Sequence, residues 1–283
     1  MRSLRFAFSL CLLAPAASHA LAQSQRDVPP SGASAPAQNA KRTLGTLLEQ
    51  LTWQEAETVL TRNTVVVLPL GAASKEHGPH LKLSNDWIIA EYLKRRVLDS
   101  ARVVIAPTVN YSFYPAFVTY PGSTSLTSET ARDMIVDICR GLAAFGPRKF
   151  YVLNTGVSTV VPLRQAAAIL AVDSITMRFT NLSVVLADVE KAVSKQEGGT
   201  HADEIETSMM LYMAPTTVDM KKAVKDYRPS RGRLVRDSAQ PGTYSPTGIW
   251  GDPTLATREK GERVTEAFVA GILKEIRELQ LKP

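Results

Sequence analysis

An α/β fold with a mostly parallel sheet, covered by helices on both faces, is the architecture this 283-residue chain predicts. Two observations carry it. Short apolar runs rich in β-branched residues alternate with longer stretches of helical spacing, the order of strand–helix–strand units. The runs are apolar throughout instead of alternating with polar residues, which marks strands buried on both faces.

In chain order, residues 43–62 place Leu44, Leu47, Leu48, Leu51, Ala56 and Leu60 at helical spacing, so a first helix is expected there. Residues 64–70 (TVVVLPL) read as the first buried strand. Beyond a polar loop, Asp86 opens DWIIAEYLKRRVLDS, where the early acid and the later Lys94, Arg95 and Arg96 suit the helix dipole. The alternation continues with strand 102–107 (RVVIAP), helix 128–145, strand 149–153 (KFYVL), helix 160–172 and strand 182–187 (LSVVLA). Ligands of such sheets gather beyond the carboxyl ends of the strands. Segments 75–86 and 154–159 each follow a strand directly, which brings them to one rim.

The amino-terminal residues speak to compartment. Arg2 and Arg5 precede the apolar run 6–13 and the small-residue site Ser18-His-Ala-Leu-Ala22, the order of a secretory signal whose run is too short to span a bilayer. Residues 1–22 are therefore expected to be removed, leaving a periplasmic or secreted protein with no membrane insertion. Residues 23–42 are rich in Pro, Ser, Ala and Gln, with Val28 the only large aliphatic residue, and are expected to form a flexible linker. The remaining segment, 43–283, suits one large domain. Loss of Arg2 and Arg5 leaves 31 basic against 27 acidic residues. A balance this mild, with no dense basic block, argues against a nucleic-acid partner. Cys139 is the only cysteine after the signal, so an internal disulfide is excluded and a buried thiol is expected.

All three histidines beyond the signal, His77, His80 and His201, lie in two short polar stretches, KEHGPH (75–80) and HADEIETS (201–208). Imidazoles beside carboxylates point to a metal or acid–base site. Structural roles compete. Asp86 suits a helix cap, and Asp203-Glu-Ile-Glu206 suits a capping box. Trp250-Gly-Asp-Pro253 suits a turn in which Asp252 caps the last helix. Tyr244 and Trp250 flank glycine-rich loops and are candidates to wall a pocket.

Five separated motifs, LPLGAASKEHGPHLKLSND (68–86), PGSTSLT (121–127), LNTGVST (153–159), GGTHADEIETSMML (198–211) and GIWGDPTLATREKGE (248–262), together resemble the creatininase (creatinine amidohydrolase) family over nearly all of residues 45–270. The resemblance implies a three-layer α/β/α sandwich, often a homo-oligomer. It also implies a site for two divalent metals, commonly Zn or Mn, that activates water to hydrolyse linear or cyclic amides. The carry-over is partial. The family's Glu-x-His pair falls on Lys75 and His77, so the first acid is a lysine here. Asp86 matches the bridging aspartate, and His201 and Glu206 match the catalytic histidine and the last metal carboxylate. Gly156 stands where another histidine ligand belongs.

Both losses concern one metal, so the resemblance is compatible with a single retained metal held by His77, Asp86 and Glu206 and equally with a metal-free pocket. With the metal retained, His201 serves as acid/base or polarises the carbonyl, and Lys75 is a charged group of reference pKa about 10.4 facing developing negative charge. A one-residue register change would instead present Glu76 at the lysine's position. The expected function is hydrolysis of a non-peptide carbon–nitrogen bond in a small amide. A catalytically silent periplasmic binding or interaction protein on the same fold is the second reading.

Overall fold

Val65–Leu70 forms a strand, β2, in which all six residues are buried, as its uninterrupted apolar run requires. It lies in the middle of a five-stranded sheet. The computed structural model describes residues 43–229 and 232–282, so the expected signal peptide and linker, residues 1–42, lie outside the described residues. The other strands are β1 (Thr46–Leu47), β3 (Val104–Ile105), β4 (Lys149–Asn154) and β5 (Thr176–Phe179), in the order β1-β3-β2-β4-β5 and all parallel. The helices are α1 (Trp53–Val59), α2 (Asn85–Ser100), α3 (Ser128–Ala143), α4 (Val160–Val172), α5 (Leu182–Val185), α6 (Ala187–Val193), α7 (Glu204–Met213) and α8 (Arg258–Gln280). A two-stranded parallel pair joins β6 (Leu234–Val235) to β7 (Thr243–Tyr244).

The period of two along β2 and β4 builds three layers. Val65, Val67, Tyr151 and Leu153 pack with Ile89 and Leu93 of α2, Ile205 and Met209 of α7, and Phe268 and Ile272 of α8. Val66, Leu68, Phe150 and Val152 face the other way, onto Ile135 and Cys139 of α3 and Leu163, Ala166 and Leu170 of α4. Each such side chain contributes roughly 1.5–3 kcal/mol by leaving water. The expected α/β/α sandwich is the fold observed, and Cys139 is fully buried in it.

The chain leaves β2 for β3 on one side and then crosses to β4 on the other. The strand order therefore reverses between β2 and β4, and the crevice beyond their carboxyl ends is the place where open parallel sheets bind ligands. Register places Leu70 opposite Asn154, so the loops after both strands start level.

Three sequence expectations are corrected. Residues 43–62 are not one helix. Thr46–Leu47 pairs with Val104–Ile105, a 3-10 turn follows, and only Trp53–Val59 is helical, started by a Thr52/Glu55 capping box. The run 182–187 is helical, and the strand precedes it at Thr176–Phe179. Leu182 and Leu186, four residues apart, face inward while Val184 is exposed, so tertiary burial outweighs the β-branched run. Asp252 caps a 3-10 turn at Thr254, and Thr257 caps α8. No helix among the described residues is long and apolar enough to cross a membrane.

Candidate metal centre

The loop after β2 carries Lys75, Glu76 and His77, and α2 opens on Asn85 and Asp86; all five side chains are buried. His77 Nδ1 lies 2.9 Å from the Lys75 carbonyl. A carbonyl only accepts, so Nδ1 carries the hydrogen and Nε2 is left to face the carboxylates, 2.9 Å from Asp86 Oδ1 and 3.3 Å from Glu206 Oε1. A backbone acceptor behind a histidine is also how proteins orient metal-ligating imidazoles. Burial and the Lys75 ammonium oppose a proton on Nε2, but Asp86 and Glu206 outweigh them and raise the pKa of His77 to about 9.

Asp86 is shared. Its Oδ2 lies 2.7 Å from Lys75 Nζ, although the ammonium sits off the line of a hydrogen bond. Burial raises the pKa of Asp86, but Lys75 and His77 together hold it below the usual carboxylate range. The lysine also lies over the Phe117 and Tyr114 rings, at 4.9 and 5.5 Å from their centroids. Aromatic faces and one carboxylate thus enclose a cation that belongs to the chain.

The second half comes from the start of α7. Asp203 caps the helix by accepting from the Ile205 and Glu206 amides. The Glu206 side chain bonds the Ala202 amide through Oε2 (2.8 Å) and accepts from Asn85 Nδ2 through Oε1 (2.9 Å). The capping box expected at this turn is therefore only half formed, and Glu206 is aimed across at His77. Burial opposes its charge, but His77, His201 and Lys75 keep it well below the normal pKa. His201 is fixed by antiparallel bonding to Trp250.

The His201 imidazole has Nε2 3.1 Å from Glu76 Oε2 and Nδ1 3.9 Å from Glu206 Oε2, with the Phe117 ring centroid 4.2 Å away. Glu76 therefore enters the site, but against His201; Lys75 keeps the position beside Asp86. Gly248 makes room for it: its φ of +82° suits glycine, and a Cβ there would collide with the Glu76 carboxylate.

Lys75, His77, Asp86, His201 and Glu206 are thus in one place, and of the two aromatics expected to wall a pocket Trp250 lines the cavity there whereas Tyr244 does not. Gly156 lines the same cavity from the loop after β4. His77, His201 and Glu206 can each offer a ligand atom such that all three atoms lie within 4.8 Å of one another. The nitrogen and oxygen donors, with Asp86 Oδ1 beside them, suit one divalent ion of the Zn or Mn type.

An α/β/α sandwich that gathers imidazoles and carboxylates beyond its central strands defines the class, a protein with a metal-type hydrolytic site. The chain belongs to the creatininase family: the profile described as creatinine amidohydrolase matches residues 49–276. Creatinine amidohydrolase of Pseudomonas putida is 25% identical over 248 residues, covering 81% of this chain and 95% of the relative. The mycofactocin precursor peptide peptidase of Mycolicibacterium smegmatis is 28% identical over 224 residues, covering 76% and 85%. A solved structure described as creatininase with Mn superposes with a TM-score of 0.70 at 25% identity, covering 84% of this chain and all of the other.

Proposed function

We propose that this protein is an exported, metal-dependent hydrolase of a non-peptide carbon–nitrogen bond in a small linear or cyclic amide, working with one metal per chain. The observation that carries the reading is that His77 Nε2 lies 2.9 Å from Asp86 Oδ1 and 3.3 Å from Glu206 Oε1, with His201 close enough to complete a cluster with His77 and Glu206. His77, Asp86 and Glu206 would hold the ion, which when bound lowers the pKa of water and polarises a carbonyl. His201 is placed to move a proton at its Nδ1 face, while Glu76 fixes the ring through Nε2. Lys75 presents a fixed positive charge, already desolvated by Phe117 and Tyr114, to an oxyanion forming next to Asp86. Buried walls keep bulk water from screening these charges.

The decisive experiment pairs elemental analysis of protein purified from defined medium with hydrolysis assays on a panel of linear and cyclic amides. About one equivalent of metal is expected, with hydrolysis lost in chelator, and His77→Ala should lower metal content and activity together. Absence of both metal and hydrolysis would favour a binding role on this fold. Two equivalents in the wild type would overturn the single-metal reading.

A further inference from the structure

We propose that the substrate carries an apolar chain or ring beyond its reacting group, held in a chamber between α5–α6 and the layer of α2, α7 and α8. The inference rests on the hydrolase reading for where the reacting group sits, and extends it to the class of molecule. One cavity of about 610 Å³ is lined by Lys75, Asp86, His201 and Glu206 and, in the same continuous space, by Leu182, Leu186, Ile205, Met209 and Phe268. Pockets of 300–1,000 Å³ enclose ligands of drug size. At a share of about 30 Å³ per water, the space equals that of roughly 20 water molecules, several times what an amide group needs.

The walls say what fills the rest. Leu186, Ile205, Met209 and Phe268, packed together in the core, back the inner end of this space, while the partly buried Leu182 and Phe117 and the exposed Val157 present apolar surface to it. Water placed against such walls would lack hydrogen-bond partners. An apolar group would gain by leaving solvent. The α5–α6 strap turns Leu182 and Leu186 inward, four residues apart on one face, while Val184 is exposed. Glu190 and Lys191 also border the chamber, and burial raises the pKa of the Glu190 carboxyl. Because the chamber opens onto the His–carboxylate cluster, its occupant is the molecule reacting there.

Primary n-alkylamides from acetamide to decanamide, titrated calorimetrically into full-length protein carrying its own metal, test this. Kd should fall about four-fold per added methylene, the equivalent of about 0.8 kcal/mol per buried CH₂, and level off when the chamber is full. Ala187→Trp, at an exposed position that borders the chamber, should flatten that dependence, and so should Leu186→Asp. Circular dichroism melts identify any variant that has not folded, and Ala187→Trp decides if Leu186→Asp fails. A wild-type Kd independent of chain length, or no binding at any length, overturns the proposal. An unchanged slope in a folded Ala187→Trp overturns the assigned location. Chain-length-dependent binding without hydrolysis would refute the hydrolase reading and leave the chamber standing, whereas hydrolysis with neither Kd nor KM following chain length would do the reverse.

Discussion

Replacing Lys75 by glutamate exchanges a cation built into the chain for a carboxylate, and the structure sets the cost. The two side chains of the Lys75–Asp86 pair are 7% and 2% exposed, with charges 2.7 Å apart. Removing one member of such a buried pair costs about 3–5 kcal/mol, most of it from the stranded partner. His77 stays 2.9 Å from the other Asp86 oxygen, so the neutral Lys75→Met should sit near the low end, about 3 kcal/mol. Lys75→Glu adds repulsion and should approach about 5 kcal/mol in chelator, until one of the crowded carboxyls takes up a proton.

Zinc should reverse the loss. Metal present at 100 times its Kd returns about 2.7 kcal/mol, so urea unfolding of Lys75→Glu should respond to zinc more strongly than the wild type does. Rebuilding a full second site also needs an imidazole at position 156. A Cβ on Gly156 would meet Thr159 Oγ1 at 2.9 Å and Cγ2 at 3.1 Å, so Gly156→His must be combined with Thr159→Ala. The triple variant should bind one more metal than the wild type. Equal stability of Lys75→Glu and wild type in chelator would show that the ammonium contributes nothing. Unchanged metal content in a folded triple variant would show that positions 75 and 156 do not correspond to ligand positions.

Other outcomes follow from neighbouring groups. Burial lowers the pKa of His80 to about 4, against about 6.5 in the unfolded chain. The unfolded state therefore binds the proton first, and stability present above pH 6.5 is lost as pH falls toward 4, by about 3 kcal/mol in all. Urea midpoints at pH 7 and 4.5 should differ less in metal-free His80→Gln than in metal-free wild type; equal differences would refute this. Glu76→Gln should lower kcat about 10–100-fold through the orientation of His201, with little change in melting temperature. Burial pushes the Cys139 thiol up to about 12, so iodoacetamide at pH 8 should label it in urea and not in the folded protein. Intact mass of exported protein should correspond to a chain starting at Gln23, and retention of residues 1–22 would defeat the export proposal.

Residues 65–70 and 150–153 were legible as strands because burial on both faces leaves the run apolar, and α2 to α4 because their apolar spacing and lengths agree. Residues 43–62 misled because five leucines at helical spacing also suit a short edge strand and a turn, and what decides is pairing with residues 104–105, far along the chain. The loops that follow the central strands could be placed at one rim from the order of elements alone. The partner of Glu76 could not. Its carboxylate meets an imidazole 125 residues away, and nothing local shows that His201 approaches from that side. Phe117 was equally silent, being a single aromatic in a 3-10 turn that ends up against both Lys75 and His201. The glycine at 248 was visible as a turn residue, but its second purpose, space for Glu76, appears only once the loops are assembled.

The contact between α7 and α8 bears on when the protein becomes competent. Gly261 of α8 sits against the Ser208 carbonyl of α7 so closely that a Cβ would collide with it, and Phe268 and Ile272 share a core with Met209 and Met210. α8 is the last described element of the chain. A chain that contains His201 and Glu206 without α8 lacks the surface that holds α7 against the sheet, and a helix of ten residues has little stability without one. Docking of α8, closure of that layer and assembly of the His–carboxylate cluster are therefore coupled.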